Sequence, residues 1–178
     1  MVLPGEAVLE LCASAQSEVL LVAPFMKSAA MNRLLEAIPP YVQKVRCVTR
    51  WRPEEIVAGV SDLEVLDLIE QRVGATLFVH PYLHAKYFRA DRRALVGSAN
   101  ITSRALGWSI PANLELLLPA DSLTEIIQEF EKKLLQSVIE VDQTLRLGIQ
   151  SAADKIKQEG VRLVAAELSE TDAESSER

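Results

Sequence analysis

Apolar residues come in short blocks whose spacing switches between two periods. EVLLVAPF (18–25) is a continuous apolar run, read as a buried strand ended by Pro24. KVRCVTR (44–50) sets Val45, Cys47 and Thr49 against Lys44, Arg46, Val48 and Arg50 and predicts a second strand; ATLFVH (75–80) predicts a third. Between and before them the period is helical. Residues 5–16 read as a short helix, and Ser28–Ile38 carries Met31, Leu34, Leu35 and Ile38 on one face before Pro39-Pro40. The capping box Ser61-x-x-Glu64 opens a helix bearing Leu63, Leu66, Ile69 and Val73, which Gly74 ends. HAKYFR (84–89) and RALVGS (93–98) are β-rich runs around Ala90-Asp91-Arg92, a hairpin signal, and NLELLLP (113–119) is one more strand. Ser122-x-x-Glu125 caps a long helix with Leu123, Ile126, Ile127, Phe130, Leu134 and Leu135 on one face, and helical spacing resumes through Val138–Ile156. Strands alternating with helices predict an α/β sandwich, and the hairpin makes its sheet mixed.

Composition narrows the function classes. Of 178 residues, 49% are hydrophobic and 25% charged, enough for a real core and against wholesale disorder. No apolar run approaches the roughly 18–20 residues of a membrane span. Glu6 and Glu10 stand where a secretion signal would carry positive charge. Cys12 and Cys47 lie far apart, without metal-ligand spacing, and read as buried thiols of a reducing compartment. A cytoplasmic chain without a membrane partner is the expectation. The net charge of −6 disfavours nucleic acid until its distribution is considered. Residues 167–178 carry a net −4, whereas residues 33–52 and 84–104 each carry +4, so local basic surface suited to phosphates is expected on an acidic protein.

The chemistry is concentrated in LHAKYFRADRRALVGSANIT (83–102). His84 and Lys86, two apart on a predicted strand, share a face. With a loop of Asp91-Arg92-Arg93, Lys86 would oppose Ser98 and His84 would oppose Asn100; an even-length loop would turn the face over. An imidazole, an ammonium, a hydroxyl and a carboxamide on one surface suit a phosphate ester. Lys, Ser and Asn donate to its oxygens, and a neutral His can attack phosphorus.

His84-x-Lys86-x4-Asp91, followed by Gly97-Ser98-Ala99-Asn100, resembles the HKD motif of the phospholipase D superfamily. VTRWRP (48–53), GVSDLE (59–64), LHAKYF (83–88), GSANIT (97–102) and NLELLL (113–118) are similar, in that order, to the branch of BfiI-type metal-independent restriction nucleases and helicase-associated nuclease domains. The resemblance spans residues 18–120; it departs from many members in having five residues, not six, between Asp91 and Gly97.

The resemblance implies a phospholipase D-like α/β/α sandwich, taken as residues 1–160 with C-terminal helices 121–158 included; residues 167–178, acidic and low in apolar content, read as a disordered tail. It implies two histidines at the centre, one attacking phosphorus to form a phosphohistidine and one protonating the leaving oxygen and then activating water. The two histidines of this chain are His80 and His84, and His80 has Tyr82 where a second motif would have lysine. The partner imidazole is therefore expected from a second copy, in a homodimer with one composite site. His84 is then nucleophile in one protomer and general acid/base in the other. Lys86 and Asn100 would bind the non-bridging oxygens, Ser98 would support them, and Glu115 would orient the imidazole. Asp91 and Gly97 read as structural members of the motif. No cofactor and no metal is called for. Arg50, Arg52 and Arg104 are candidate substrate-phosphate contacts, and Trp51 is a packing residue ahead of a base-stacking platform. The expected activity is metal-independent cleavage of nucleic acid, DNA ahead of RNA, with room for a helicase-type or recognition partner. A lipid enzyme of the phospholipase D or phosphatidyltransferase kind, and a nucleic-acid-binding module of low activity, are the alternatives.

Overall fold

The computed structural model describes the backbone of residues 3–176 and the side chains of residues 3–160. The acidic stretch 167–178, expected as a tail, lies outside the residues whose side chains are described. Among the described residues seven strands form one mixed sheet in the order β6-β5-β4-β1-β2-β3-β7. At its centre are β1 (Glu18–Val22), β2 (Lys44–Thr49) and β3 (Ala75–Val79), all parallel. Next to β1, the hairpin β4 (Lys86–Ala90) and β5 (Arg93–Gly97) runs antiparallel, followed by β6 (Leu117–Asp121) at one edge. The two-residue β7 (Ile139–Glu140) closes the other edge against β3.

Period-two side chains divide the sheet into two apolar faces. Val19, Leu21, Val45, Cys47, Leu77 and Phe88 point to one, where helices α1 (Pro4–Ala13), α2 (Ser28–Ala37) and α4 (Val65–Gln71) cover them with Val8, Leu11, Met31, Leu34, Leu66 and Ile69. Leu20, Val22, Val48, Tyr87 and Ala94 point to the other, under Leu134 of α5 (Glu125–Gln136), with Ile127 and Phe130 partly buried beside it. Helix α6 (Gln143–Ser176) packs on the short α3 (Pro53–Val57) through Leu145 and Ile149. This is the expected α/β/α sandwich. Trp51 is core, and both thiols are free and buried, which pushes Cys12 up to about 12 and Cys47 higher still.

Three local expectations are corrected. Ser61 does not cap a helix: it is buried, and its hydroxyl receives the Met26 N–H at 3.3 Å, holding the chain that follows β1. Ser122 likewise donates to the Arg92 carbonyl at 3.0 Å, tying the hairpin turn to the end of β6, and α5 starts at Glu125 after Thr124. β6 starts at Leu117 rather than Asn113; as an edge strand it accommodates Pro119, which has no N–H to give a further neighbour.

Candidate active site

The parallel strands β1, β2 and β3 end at the same side of the sheet at which β4 begins and β5 finishes. This is also where the strand order reverses, between β1 and β4, and open α/β sheets bind ligands outside the carboxyl ends of strands at such a point. Lys86, Ser98 and Asn100 all belong to this end, as does the segment bearing His84.

His84 is not on a strand. His80-Pro81-Tyr82-Leu83 makes a turn closed by Leu83 N–H donating to the His80 carbonyl at 3.2 Å, with proline at the second position where turns favour it. His84 follows this turn and is exposed, and β4 begins only at Lys86. Two arginines hold the turn. Arg50 donates through Nη1 to the Leu83 carbonyl at 2.8 Å while Nε and Nη2 engage Glu55. Arg52 donates through Nη2 to the Pro81 carbonyl at 3.0 Å. Both are candidate phosphate contacts by sequence; in the structure both also brace the segment that presents His84, and Arg52 stays exposed.

The hairpin has a two-residue loop, Asp91-Arg92, so Lys86 pairs with Gly97 and not with Ser98. The expected register is thus corrected by one residue. Two-residue loops match the twist of the flanking strands, and Asp91 takes the required left-handed conformation at φ 51°. Its carboxylate receives the N–H groups of Gln16 (2.7 Å), Ser17 (2.9 Å) and Glu18 (3.1 Å) and the Ser17 hydroxyl (2.5 Å). Partial burial pulls its pKa up, but these four donors outweigh that and lower it to about 2. Asp91 lies at the far end of β4 from Lys86, where it ties the hairpin to the start of β1. Gly97 is needed for space: a Cβ there would stand 1.9 Å from the Leu116 carbonyl oxygen of the next segment.

At the site end, Ser98 donates to the Glu115 carboxylate and accepts the Leu116 N–H at 3.0 Å. The other Glu115 oxygen accepts from Asn113 at 3.1 Å, a partner the sequence reading missed although it stands only two residues away. Glu115 therefore holds Ser98 and Asn113, and the structure does not bring it to His84 within the chain. Asn100 accepts the Phe25 N–H on Oδ1 at 3.2 Å, which fixes the amide and leaves its NH2 end as the donor. Lys86 donates to the His84 carbonyl at 3.0 Å. Burial holds its ammonium below the usual lysine range, Arg50 adds to this, and Glu115 opposes it. Asn100 also lines a cleft of about 580 Å³ with Phe25, Lys27, Asp62, Thr102 and Arg104. Arg104 is exposed there, its Nε donating to the Pro111 carbonyl at 3.2 Å.

The two basic segments are split between the ends of the sheet. Lys44, Arg46 and Arg89 gather at the far end around Glu18, at 2.6, 3.7 and 2.5 Å, with Arg89 also 2.7 Å from Glu131. Arg50, Arg52, Lys86 and Arg104 supply the positive charge at the site end. Among the described residues no group of three or more His, Cys, Asp or Glu gathers as a metal site, and no helix is long and apolar enough to cross a membrane.

Residues 8–138 match the family model described as cardiolipin synthase, PLD-like domain. The chain is similar in fold to Nuc, a phospholipase D family member from Salmonella typhimurium. The TM-score is 0.59 at 19% identity, over 78% of this chain and 90% of that one. NucT from Helicobacter pylori gives a TM-score of 0.56 at 16% identity, over 76% and 89%. Phosphatidylserine synthase from Haemophilus influenzae Rd KW20 gives 0.60 at 15% identity, over 88% of this chain but 43% of that one. No curated protein matches the chain.

Proposed function

The chain belongs to the PLD-like domain family of the phospholipase D superfamily, and from that premise we propose that it is a phosphodiesterase that cleaves nucleic acid, DNA first, through a phosphohistidine on His84. What supports this reading is that the elements bearing Lys86, the fixed Asn100 carboxamide and the braced, exposed His84 all meet the carboxyl ends of the parallel strands. Lys86 and the Asn100 NH2 group donate to the non-bridging oxygens, where charge builds in the five-coordinate transition state. Glu115 holds Ser98 in place and keeps the Lys86 ammonium charged against burial. Arg52 and Arg104 remain exposed at this end for flanking phosphates, and Arg50 positions the His84 turn.

A neutral His84 imidazole attacks phosphorus. The P–O bond to the leaving group breaks, and that oxygen takes the proton of a second imidazole. Water then attacks the phosphohistidine, gives its proton to that second imidazole, and frees His84. The second imidazole is His84 of another copy, so the working unit is a homodimer with a shared site, as in the BfiI-type branch that the sequence resembles. No step draws on a metal or cofactor.

The family description and the exposed Leu114 and Leu116 on either side of Glu115 favour a second reading, a lipid phosphodiester substrate. Incubation with plasmid DNA, and separately with phosphatidylcholine vesicles, both in EDTA, divides the two. Plasmid cleavage that His84→Ala abolishes supports the nuclease. Choline release without plasmid cleavage would replace it with the lipid enzyme.

A further inference from the structure

His84 opens onto a second cleft, of about 440 Å³, that the reaction above leaves without an occupant. His80, Tyr82 and His84 line one wall, and Phe130, Lys133 and Ser137 of the α5 region line the other. Tyr82 is 82% exposed, and its ring stands edge-on to His80 with centroids 6.4 Å apart. Its backbone N–H donates to His80 Nδ1 at 3.2 Å. With Nδ1 taken as an acceptor, Nε2 is the ring's N–H donor. Lys133 is exposed and pairs with Glu129, one turn back on α5, at 2.7 Å. An ion pair that exposed holds its partners weakly, so an incoming phosphate can take the ammonium from it.

The cleft therefore offers an open π face, an imidazole N–H and an ammonium beside the attacking residue. A choline headgroup would set its cation on the ring, beside a Lys133 ammonium that repels it, and a headgroup without such a cation would leave the ring idle. A duplex keeps its bases stacked on one another. A single strand supplies both an open base and a phosphate at every step, the combination that aromatic rings and cations bind without regard to sequence.

We propose that this cleft is a subsite for one unpaired nucleotide of a single strand, its base stacked on Tyr82 and its phosphate held by Lys133 and His80 Nε2–H. The inference rests on the nucleic-acid reading and adds strand state to it: single strands are preferred to duplex.

The test is fluorescence anisotropy with a labelled oligonucleotide in EDTA, as single strand, as duplex and as an abasic strand. It uses the full chain carrying His84→Asn so that the strand is not cut. The single strand should bind on the order of tenfold more tightly than the duplex. Tyr82→Ala should weaken it by about 5- to 100-fold, Tyr82→Phe should restore it, and the abasic strand should be indifferent to Tyr82→Ala. His80→Ala with Lys133→Ala should weaken single and abasic strands alike. Single-strand binding that ignores Tyr82→Ala would overturn the subsite and leave the nucleic-acid reading standing. Absence of binding to any oligonucleotide would overturn both. Loss of affinity accompanied by a shift from dimer to monomer in sedimentation would overturn the subsite too, by making Tyr82 an assembly contact.

Discussion

Asp91→Asn separates a motif residue that holds the fold from one that does chemistry. The substitution keeps one acceptor oxygen at the same place and removes the charge. Holding an aspartate at about 2 instead of its ordinary 3.8 corresponds to about 2.4 kcal/mol. Partial exposure of the carboxylate roughly halves that. The asparagine should therefore cost about 1 kcal/mol at neutral pH, a fall in Tm of about 2–4 °C for a chain of this length. Because the folded pKa lies below the unfolded one, this contribution is whole above the unfolded value of 3.8 and is lost as pH falls through the folded value of about 2. Thermal unfolding followed by circular dichroism from pH 7 down to pH 2 should show the two proteins converge at the acid end. Well below its Tm the variant should keep turnover within about threefold of the parent, since Asp91 lies at the opposite end of β4 from Lys86. An unchanged Tm at pH 7 combined with lost turnover would refute the reasoning, because it would move Asp91 from the fold into the reaction.

Two further outcomes follow from the same structure. Arg89 is 5% exposed and sits between Glu18 and Glu131, with the Tyr87 hydroxyl donating to Glu131 at 2.5 Å. Arg89→Ala leaves these carboxylates short of a cation in a half-buried place and should cost about 3–5 kcal/mol, read as a lower midpoint in urea unfolding. Glu115→Gln removes the charge that opposes the lowering of the Lys86 pKa by burial and Arg50. A lysine that must be charged for turnover is lost as pH rises through its pKa, so the alkaline limb of kcat/KM should move to lower pH in this variant; an unmoved limb would detach Glu115 from Lys86.

The strands and the layers were legible because the apolar runs 18–25 and 75–80 and the alternating segment 44–50 have few other ways to be buried, and the hairpin was legible from Asp91 between two β-rich runs. Its register was not, because one residue in the loop decides which face Ser98 shares, and the loop length depends on the bonds Asp91 makes 73 to 75 residues away. Ser61 and Ser122 carry capping-box spacing, but their hydroxyls bond to backbone that is remote in sequence, which local pattern does not show. Among the candidate site residues, the motif placed Lys86, Ser98, Asn100 and Glu115 at one end of the sheet. The role of Arg50 and Arg52 as braces of the His84 turn depends on the return of the chain at 80–83 to the end of β2, a tertiary fact. The exposed ring of Tyr82 carries no motif at all.

The claim on which the mechanism stands is that each turnover uses two copies of His84, one from each chain. Mixed dimers test it most directly. Wild-type and His84→Ala chains are unfolded together, refolded at a series of ratios and assayed for cleavage in EDTA. If both imidazoles are required, activity follows the square of the wild-type fraction and an equal mixture retains about one quarter of full activity. Activity proportional to the wild-type fraction, about one half at the equal mixture, would mean that one chain carries a complete site and would contradict the account.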